Sequence, residues 1–373
     1  MKREQLVQDI MYIKKELPKK HKDLFAFISS ENFEKVIESI IEEVTTKGYR
    51  KNDFIITLLK IFAEIKDTHT TIYTDGLKTP AFFEFVNGGY YPFLINDNLG
   101  NFLGKRLKAI DNIPLDQYIK SLESYIVFDN DEIKNIEISR SLKDAQLIKY
   151  ITKNLNKYIH YSFDNNESVD ITPIPRNKSV WQTSIYGIKG NEWLNIKSNY
   201  FVENKEQSLY FKYSRCKEDE NYPFSKLFKD LENSLNFKPK KIIVDLRNNQ
   251  GGNSSLFDPI SQIISNYIKK DKPQVFCLIN RRVFSSGVLN THEMKYKLGA
   301  LLVGQPTGQG VNHYGEVKTF KLPNTKIEVQ YSSKFFKLID DDSTTIKPDV
   351  LIEPTIDDYM TGKDPVLNYC LNK

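Results

Sequence analysis

Residues 240–252 read KKIIVDLRNNQGG, and they limit the fold more tightly than any other stretch. Ile242, Ile243 and Val244 follow one another without polar alternation. A strand of that kind is covered on both faces, as in a parallel or mixed sheet flanked by other layers. It leads through Asp245-Leu246-Arg247 into a polar turn closed by Gly251-Gly252. Residues 283–310 carry a second such signal: VFSSGVLN, a helix-compatible 291–298, then GALLVGQPTGQG. There a buried strand at 275–280 runs off its end through Arg281-Arg282, and Ser285-Ser286-Gly287 opens a helix.

A serine at a strand-to-helix turn stands at the top of its sheet, with the next backbone N–H beside its oxygen. Glycines at a neighbouring strand end let backbone approach a bound group closely. The two stretches together favour Ser285 as a nucleophile, with Ser286 and Gly251 or Gly252 as oxyanion donors. The plainer alternatives are that Ser285 or Ser286 caps the helix and that Gly251-Gly252 is an ordinary turn.

Strands at 209–211, 242–246, 275–280 and 300–303 alternate with helices at 223–237 and 255–268. Shorter strands are expected at 319–322, 327–331 and 350–352. This alternation predicts an α/β core, placed at 191–373. Residues 1–77 read as an N-terminal helical domain. Phe33, Val36, Ile37, Ile40, Ile41 and Val44 form a 3.6-period stripe; Pro18 is expected to break the first helix, Phe25, Phe27 and Ile28 recur at helical spacing, and Asp53 is a candidate N-cap for a helix at 54–66.

Residues 78–190 read as a middle α+β domain with an aromatic, strand-like 82–94, helices within 124–160, and loops at 164–168 and 173–179. Within it, an alternating 103–110, a turn at Asp111-Asn112, Ile113-Pro114 and a helix at 116–122 resemble the distal half of a PDZ domain, with Asn112 in place of the turn glycine. A small α+β insert is the equal alternative.

Bulk properties exclude several classes. Lys and Arg number 53 against 48 for Asp and Glu, a net charge of +5 with no basic stripe, so nucleic acid is not an expected partner. Cys216, Cys277 and Cys370 are widely spaced and form no CxxC pair, so no zinc site, and no metal or other cofactor, is expected. No signal-peptide core or membrane-length apolar run is seen, which makes cytoplasmic location the expectation.

The motifs resemble those of the C-terminal-processing (tail-specific) peptidases and their tricorn-type relatives. IIVDLRNNQGG is similar to their (I/V)xDLRxNxGG, Ser285 falls on the first serine of their T-A-S-A-S-E, GALLVGQPTGQG matches the following glycine motif, and IKPDVLIEPT matches the closing one. The resemblance covers residues 191–357 and Asp67–Thr70 best. It implies a ClpP/crotonase-like core and a serine endopeptidase acting on peptides or unfolded protein tails. Gln309 stands where that family carries its lysine base, and an amide cannot take serine's proton. The tricorn-type branch implies a histidine base instead, and Asp67-Thr68-His69-Thr70 supplies His69. It also implies an acid after the nucleophile, for which Asp340, Asp341 and Asp342 are candidates, with Asp342 chosen.

Competing bases are His313, just past Gln309, and then Lys318 or Lys334. His21, His160 and His292 have no supporting context and are expected at the surface or satisfied in the core. Asp245 and Arg247 are expected to form a structural ion pair beneath the Gly-Gly turn. The rival function is an inactive relative that uses the same cleft to bind a peptide terminus or an apolar ligand.

Overall fold

The computed structural model describes residues 2–47, 49, 51–74, 76–95, 101–175, 183–184 and 198–373. They form two compact units. One holds the described residues up to 184 together with Tyr314–Phe336, and the other holds 198–313 and Lys337–Lys373. The domain boundary expected near 190, and the expected loop from 176 onward, lie outside the described residues.

The first unit opens with helices α1 (Arg3–Lys20), α2 (Ser30–Thr46) and α3 (Lys51–Ile65). Ser29 caps α2 by accepting the Asn32 N–H, and Phe33, Ile37, Ile40 and Val44 bury the predicted stripe. Pro18 does not break α1; it sits in the last turn, which ends two residues later. Asp53 lies inside the first turn of α3 rather than ahead of it. Phe25 and Phe27 are not helical neighbours: a 3-10 turn at Leu24–Ala26 leaves both rings exposed.

Strand β1 (Thr71–Ile72) follows α3 directly. The middle region begins with the hairpin β2 (Ala81–Val86) and β3 (Gly89–Ile95), turning at Asn87-Gly88 with both residues at positive φ. Next come β4 (Leu107–Ile110), β5 (Ile113–Pro114), α4 (Leu115–Leu122), α5 (Asp131–Ser141), α6 (Ala145–Thr152), β6 (Ile159–Phe163), β7 (Ser168–Ile171) and β8 (Thr183–Ser184). Two small sheets, ordered β2-β3-β8 and β5-β4-β6-β7, pack with α4 to α6 over one apolar cluster that includes Tyr118, Tyr161 and Phe83.

The second unit contains β9 (Tyr200–Lys205), β10 (Ser208–Tyr213), α7 (Phe224–Asn236), β11 (Lys241–Asp245), α8 (Asp258–Asp271), β12 (Gln274–Ile279), α9 (Ser286–Tyr296) and β13 (Leu301–Gly304). After β14 (His313–Lys321) and β15 (Glu328–Phe336), the chain adds β16 (Val350–Leu351), α10 (Ile356–Thr361) and α11 (Pro365–Asn372). Strands β14 and β15 do not extend the α/β core as expected. They form a separate three-stranded sheet with β1, in the first unit, ordered β1-β15-β14.

The core sheet is ordered β16-β13-β12-β11-β10-β9, parallel except at the β9–β10 edge. Alternate residues of each strand enter different clusters. Leu209, Phe211, Ile242, Val244, Cys277 and Ile279 pack with α7, α8 and α9. Tyr210, Ile243, Phe276, Leu278 and Val303 pack with Val366 and Cys370 of α11. Both faces are therefore covered, as the unbroken apolar run required, and each fully buried aliphatic side chain contributes about 1.5–3 kcal/mol. The chain is thus an α/β protein with a helical N-terminal region. Among the described residues no helix is long and apolar enough to cross a membrane.

Candidate active site

The parallel strands β11 and β12 end side by side, and the loops beyond them build the serine site. Past Asp245 the chain is fixed by a buried ion cluster. Arg247 bonds Asp245 through Nε and Nη2, and bonds Asp364 through Nη1 (2.9 Å) and Nη2 (2.8 Å). Lys212 Nζ, also buried, reaches Asp245 Oδ1 at 3.0 Å and the Arg247 carbonyl at 2.8 Å. Burial pushes the Lys212 ammonium down to about 8 against the pull of Asp245. The expected ion pair is therefore a four-residue cluster that ties the strand end to the cap of α11.

Asn249, fully buried, shapes the next turn. Its Nδ2 donates to the Tyr213 carbonyl (2.9 Å), its Oδ1 accepts the Gly251 N–H (2.9 Å), and its own carbonyl accepts the Phe284 N–H (2.9 Å). One residue, through its side chain and its carbonyl, thus joins three loops. Gly251 has φ +93° and Gly252 φ +133°. A Cβ on Gly251 would lie 2.8 Å from Ser285 Cβ and 2.9 Å from Ser286 N, and one on Gly252 would collide with the Cys216 carbonyl. Glycine is required at both positions because backbone lies against backbone.

Ser285 has φ +53° and ψ −128°, a conformation that L-residues rarely adopt. It immediately precedes α9, but its hydroxyl does not cap that helix. Ser286, by contrast, is buried and spends its hydroxyl on the Gly252 carbonyl at 2.7 Å. The N–H of Ser286 belongs to the first turn of α9, which has no intrahelical acceptors. Among the described residues neither that N–H nor the one on Gly252 has an acceptor. Ser285, half-buried, thus carries an uncommitted hydroxyl in a strained turn, with two backbone donors beside it.

Gln309 Oε1 accepts the Ser285 N–H at 3.0 Å. Its loop is anchored by Gly308 N–H on the Val283 carbonyl (3.0 Å) and by the Thr307 hydroxyl, which donates to the Gln309 carbonyl (2.7 Å) and accepts the Ile346 N–H (2.8 Å). His313 is buried, and its Nδ1 bonds the Gly310 and Val311 carbonyls (3.0 and 2.9 Å). Nδ1 is then the protonated nitrogen and Nε2 the acceptor. Asp342 is exposed on its loop.

In the first unit, the turn after α3 holds His69. Asp67 Oδ1 accepts the His69 N–H (3.0 Å), and Oδ2 accepts the Thr70 hydroxyl and lies 2.9 Å from His21 Nε2. His21 Nδ1 accepts the Asp23 N–H (3.0 Å), so Nε2 carries the proton and donates to Asp67. His21 is therefore a buried partner of the DTHT motif, a role the sequence did not suggest. The His69 ring is buried and bonds the Tyr314 carbonyl. Burial pulls its pKa below the usual value, against the charge of Asp67 and the Tyr314 carbonyl.

The core unit thus brings together Ser285, Ser286, Gly251, Gly252 and Gln309, with His313 four residues further on; His69 belongs to the first unit. Lys318 and Lys334 are exposed on β14 and β15. His160 pairs with Asp170 (2.7 Å), and His292 packs on Tyr296. Sequence reading missed Asn249 beside the serine turn, and Asp67, His21 and Tyr314 around His69. Asn249 alone had a local signal, as the asparagine of the DLRxNxGG pattern.

No family model matches the sequence, and no curated protein matches it. Solved structures do. CPAF complexed with lactacystin superposes with a TM-score of 0.68 at 11% identity, covering 99% of this chain and 97% of its own. The chain has the CPAF fold. A candidate peptidase from Parabacteroides merdae ATCC 43184 superposes with a TM-score of 0.50 at 15% identity, over 98% of this chain and 96% of its own. A photosystem II D1 C-terminal processing protease matches at 0.48, with 9% identity and 93% of each chain covered. The likeness to the CPAF fold covers nearly the whole chain, beyond the stretches that carry the motifs.

Proposed function

We propose that this chain is a serine endopeptidase that cuts peptides or unfolded protein tails, with Ser285 as nucleophile and His69 as base. The observation that carries the reading is Ser285 itself: a strained, positive-φ residue whose hydroxyl is not used as a cap, with the N–H groups of Gly252 and Ser286 lacking an acceptor among the described residues. Strain of this kind costs about 1–3 kcal/mol and collects at functional sites. The CPAF fold and the candidate peptidase among the neighbours support the same class.

In this reading Ser285 Oγ bonds to the scissile carbonyl carbon while its proton passes to the imidazole of His69. The carbonyl oxygen becomes an anion held by the Gly252 and Ser286 N–H groups. The C–N bond then breaks, and His69 returns the proton to the leaving amine. Water, deprotonated by His69, attacks the acyl-Ser285 ester, and the carboxylate product leaves with Ser285 reprotonated.

The orienting group of such a base is the Tyr314 carbonyl, with Asp67 supplying negative charge nearby. Asp342, exposed on its loop, is not needed for it. Gln309 cannot act as base. His313 is the alternative base, through Nε2.

The test is digestion of a reduced, carboxymethylated protein, with fragments read by mass spectrometry. Internal cleavage by the wild type that disappears in Ser285→Ala and in His69→Ala supports the reading. Cleavage that survives His69→Ala and disappears in His313→Ala moves the base to His313. Stoichiometric binding of peptide without cleavage supports the binding module.

A further inference from the structure

The geometry points to Gln309 as a positioning residue that holds Ser285 in its strained conformation through the Ser285 backbone N–H, an inference that rests on reading Ser285 as the nucleophile.

The observations converge from both sides of the contact. Ser285 at φ +53°, ψ −128° needs surroundings that fix it, because no Cβ-bearing residue prefers this region. Its N–H is taken by Gln309 Oε1 at 3.0 Å. Gln309 is only 2% exposed, so the bond forms out of competition with water. The loop that presents Gln309 is itself tied to the serine loop by Gly308 N–H on the Val283 carbonyl. Behind it, Thr307 bonds both the Gln309 carbonyl and the Ile346 N–H.

Chemistry explains the residue type. The partner of an N–H must be an acceptor, which an ammonium is not, whereas a glutamine side chain presents a neutral carbonyl oxygen at the same reach. With the Ser285 N–H engaged, the oxyanion donors are limited to Gly252 and Ser286. The hydroxyl is aimed by the backbone rather than by a side-chain bond. A nucleophile displaced by about 1 Å loses on the order of 10²-fold in rate, so the clamp acts on kcat and leaves KM unchanged.

The test compares the wild type with Gln309→Leu, which keeps the volume and loses the acceptor, and Gln309→Glu, which keeps an acceptor. Two readouts are taken: amide hydrogen exchange of the peptide spanning 284–287, and the rate of labelling by a fluorophosphonate. The clamp predicts exchange at Ser285 about tenfold faster in the Leu variant, the scale of one lost hydrogen bond, with protection kept in the Glu variant. It also predicts labelling about 10²-fold slower in Leu and within tenfold of wild type in Glu. Unchanged exchange and labelling in a folded Leu variant overturn the clamp. If the Leu variant does not fold, the Glu variant decides: lost protection in a folded Glu variant also overturns it. A wild type that shows the exchange pattern but never labels keeps the clamp and removes the nucleophile reading instead.

Discussion

Asp67 Oδ2 lies 2.9 Å from His21 Nε2, with both side chains buried, although 46 positions separate them. The pair ties the end of α1 to the turn that presents His69. It also leaves a negative charge two residues before the candidate base. Burial raises the Asp67 pKa, but the hydrogen bonds from His21 and Thr70 help to outweigh it and hold the carboxyl below its ordinary range.

Asp67→Asn is therefore expected to change the pH profile of Ser285. Burial lowers the His69 pKa, and Asp67 opposes it. Removing the charge lets the pKa fall further, so the acid limb of fluorophosphonate labelling moves to lower pH. The plateau rate drops as well, because the base is weaker. A profile that keeps its limb and plateau would remove Asp67 from the account. For stability, the depressed Asp67 pKa contributes above the unfolded carboxylate value, and the contribution is lost as pH falls through the folded one.

Arg247→Met leaves Asp364 buried without its cation and Asp245 with Lys212 alone. The expected loss is about 3–5 kcal/mol, measured by urea unfolding. The α11 cap is part of that loss, since Asp364 Oδ1 also accepts the Leu367 N–H. A loss under about 1 kcal/mol would mean that the cluster is not coupled to folding.

Glu43, in the first unit, accepts bonds from Lys60, Tyr49 and Lys47. Burial pushes its pKa up, but those bonds outweigh it and bring it to about 2. Its contribution is present above about 4.5 and is lost as pH falls toward about 2. Glu43→Gln is expected to lower stability by about 1–2 kcal/mol at neutral pH, after allowance for solvent screening, and by nothing near pH 2. Denaturant melts of both proteins at the two pH values check the sign.

Gly252→Ala combines a φ of +133° with a collision against the Cys216 carbonyl. The loop must shift, and one oxyanion donor shifts with it. Labelling is expected to fall by roughly 10²–10³-fold, the usual cost of losing one donor. An unchanged rate would take the Gly252 N–H out of the site.

The core sheet, the Gly-Gly turn and the serine turn were legible because each is written in consecutive residues: an apolar run, two glycines, two serines before a helix. The placement of β14 and β15 was not. Ile327–Tyr331 reads as a strand in any sheet, and only its pairing with Thr71-Ile72 assigns it to the first unit. The same holds for the surroundings of His69. His21 had no supporting context in the sequence, and Tyr314 acts through its backbone carbonyl, which no side-chain pattern reports. Gln309 was visible as a missing base, but its use as an acceptor depends on the dihedral angles of Ser285.

The most direct measurement is the site of covalent modification. The wild type is treated with a fluorophosphonate between about pH 6 and 9, where a histidine-activated serine reacts. It is then digested, and the adduct is located by tandem mass spectrometry. The account predicts one adduct, on Ser285, absent in Ser285→Ala and His69→Ala and retained in Ser286→Ala. An adduct on Ser286, or a wild type that acquires none across that range, would contradict it.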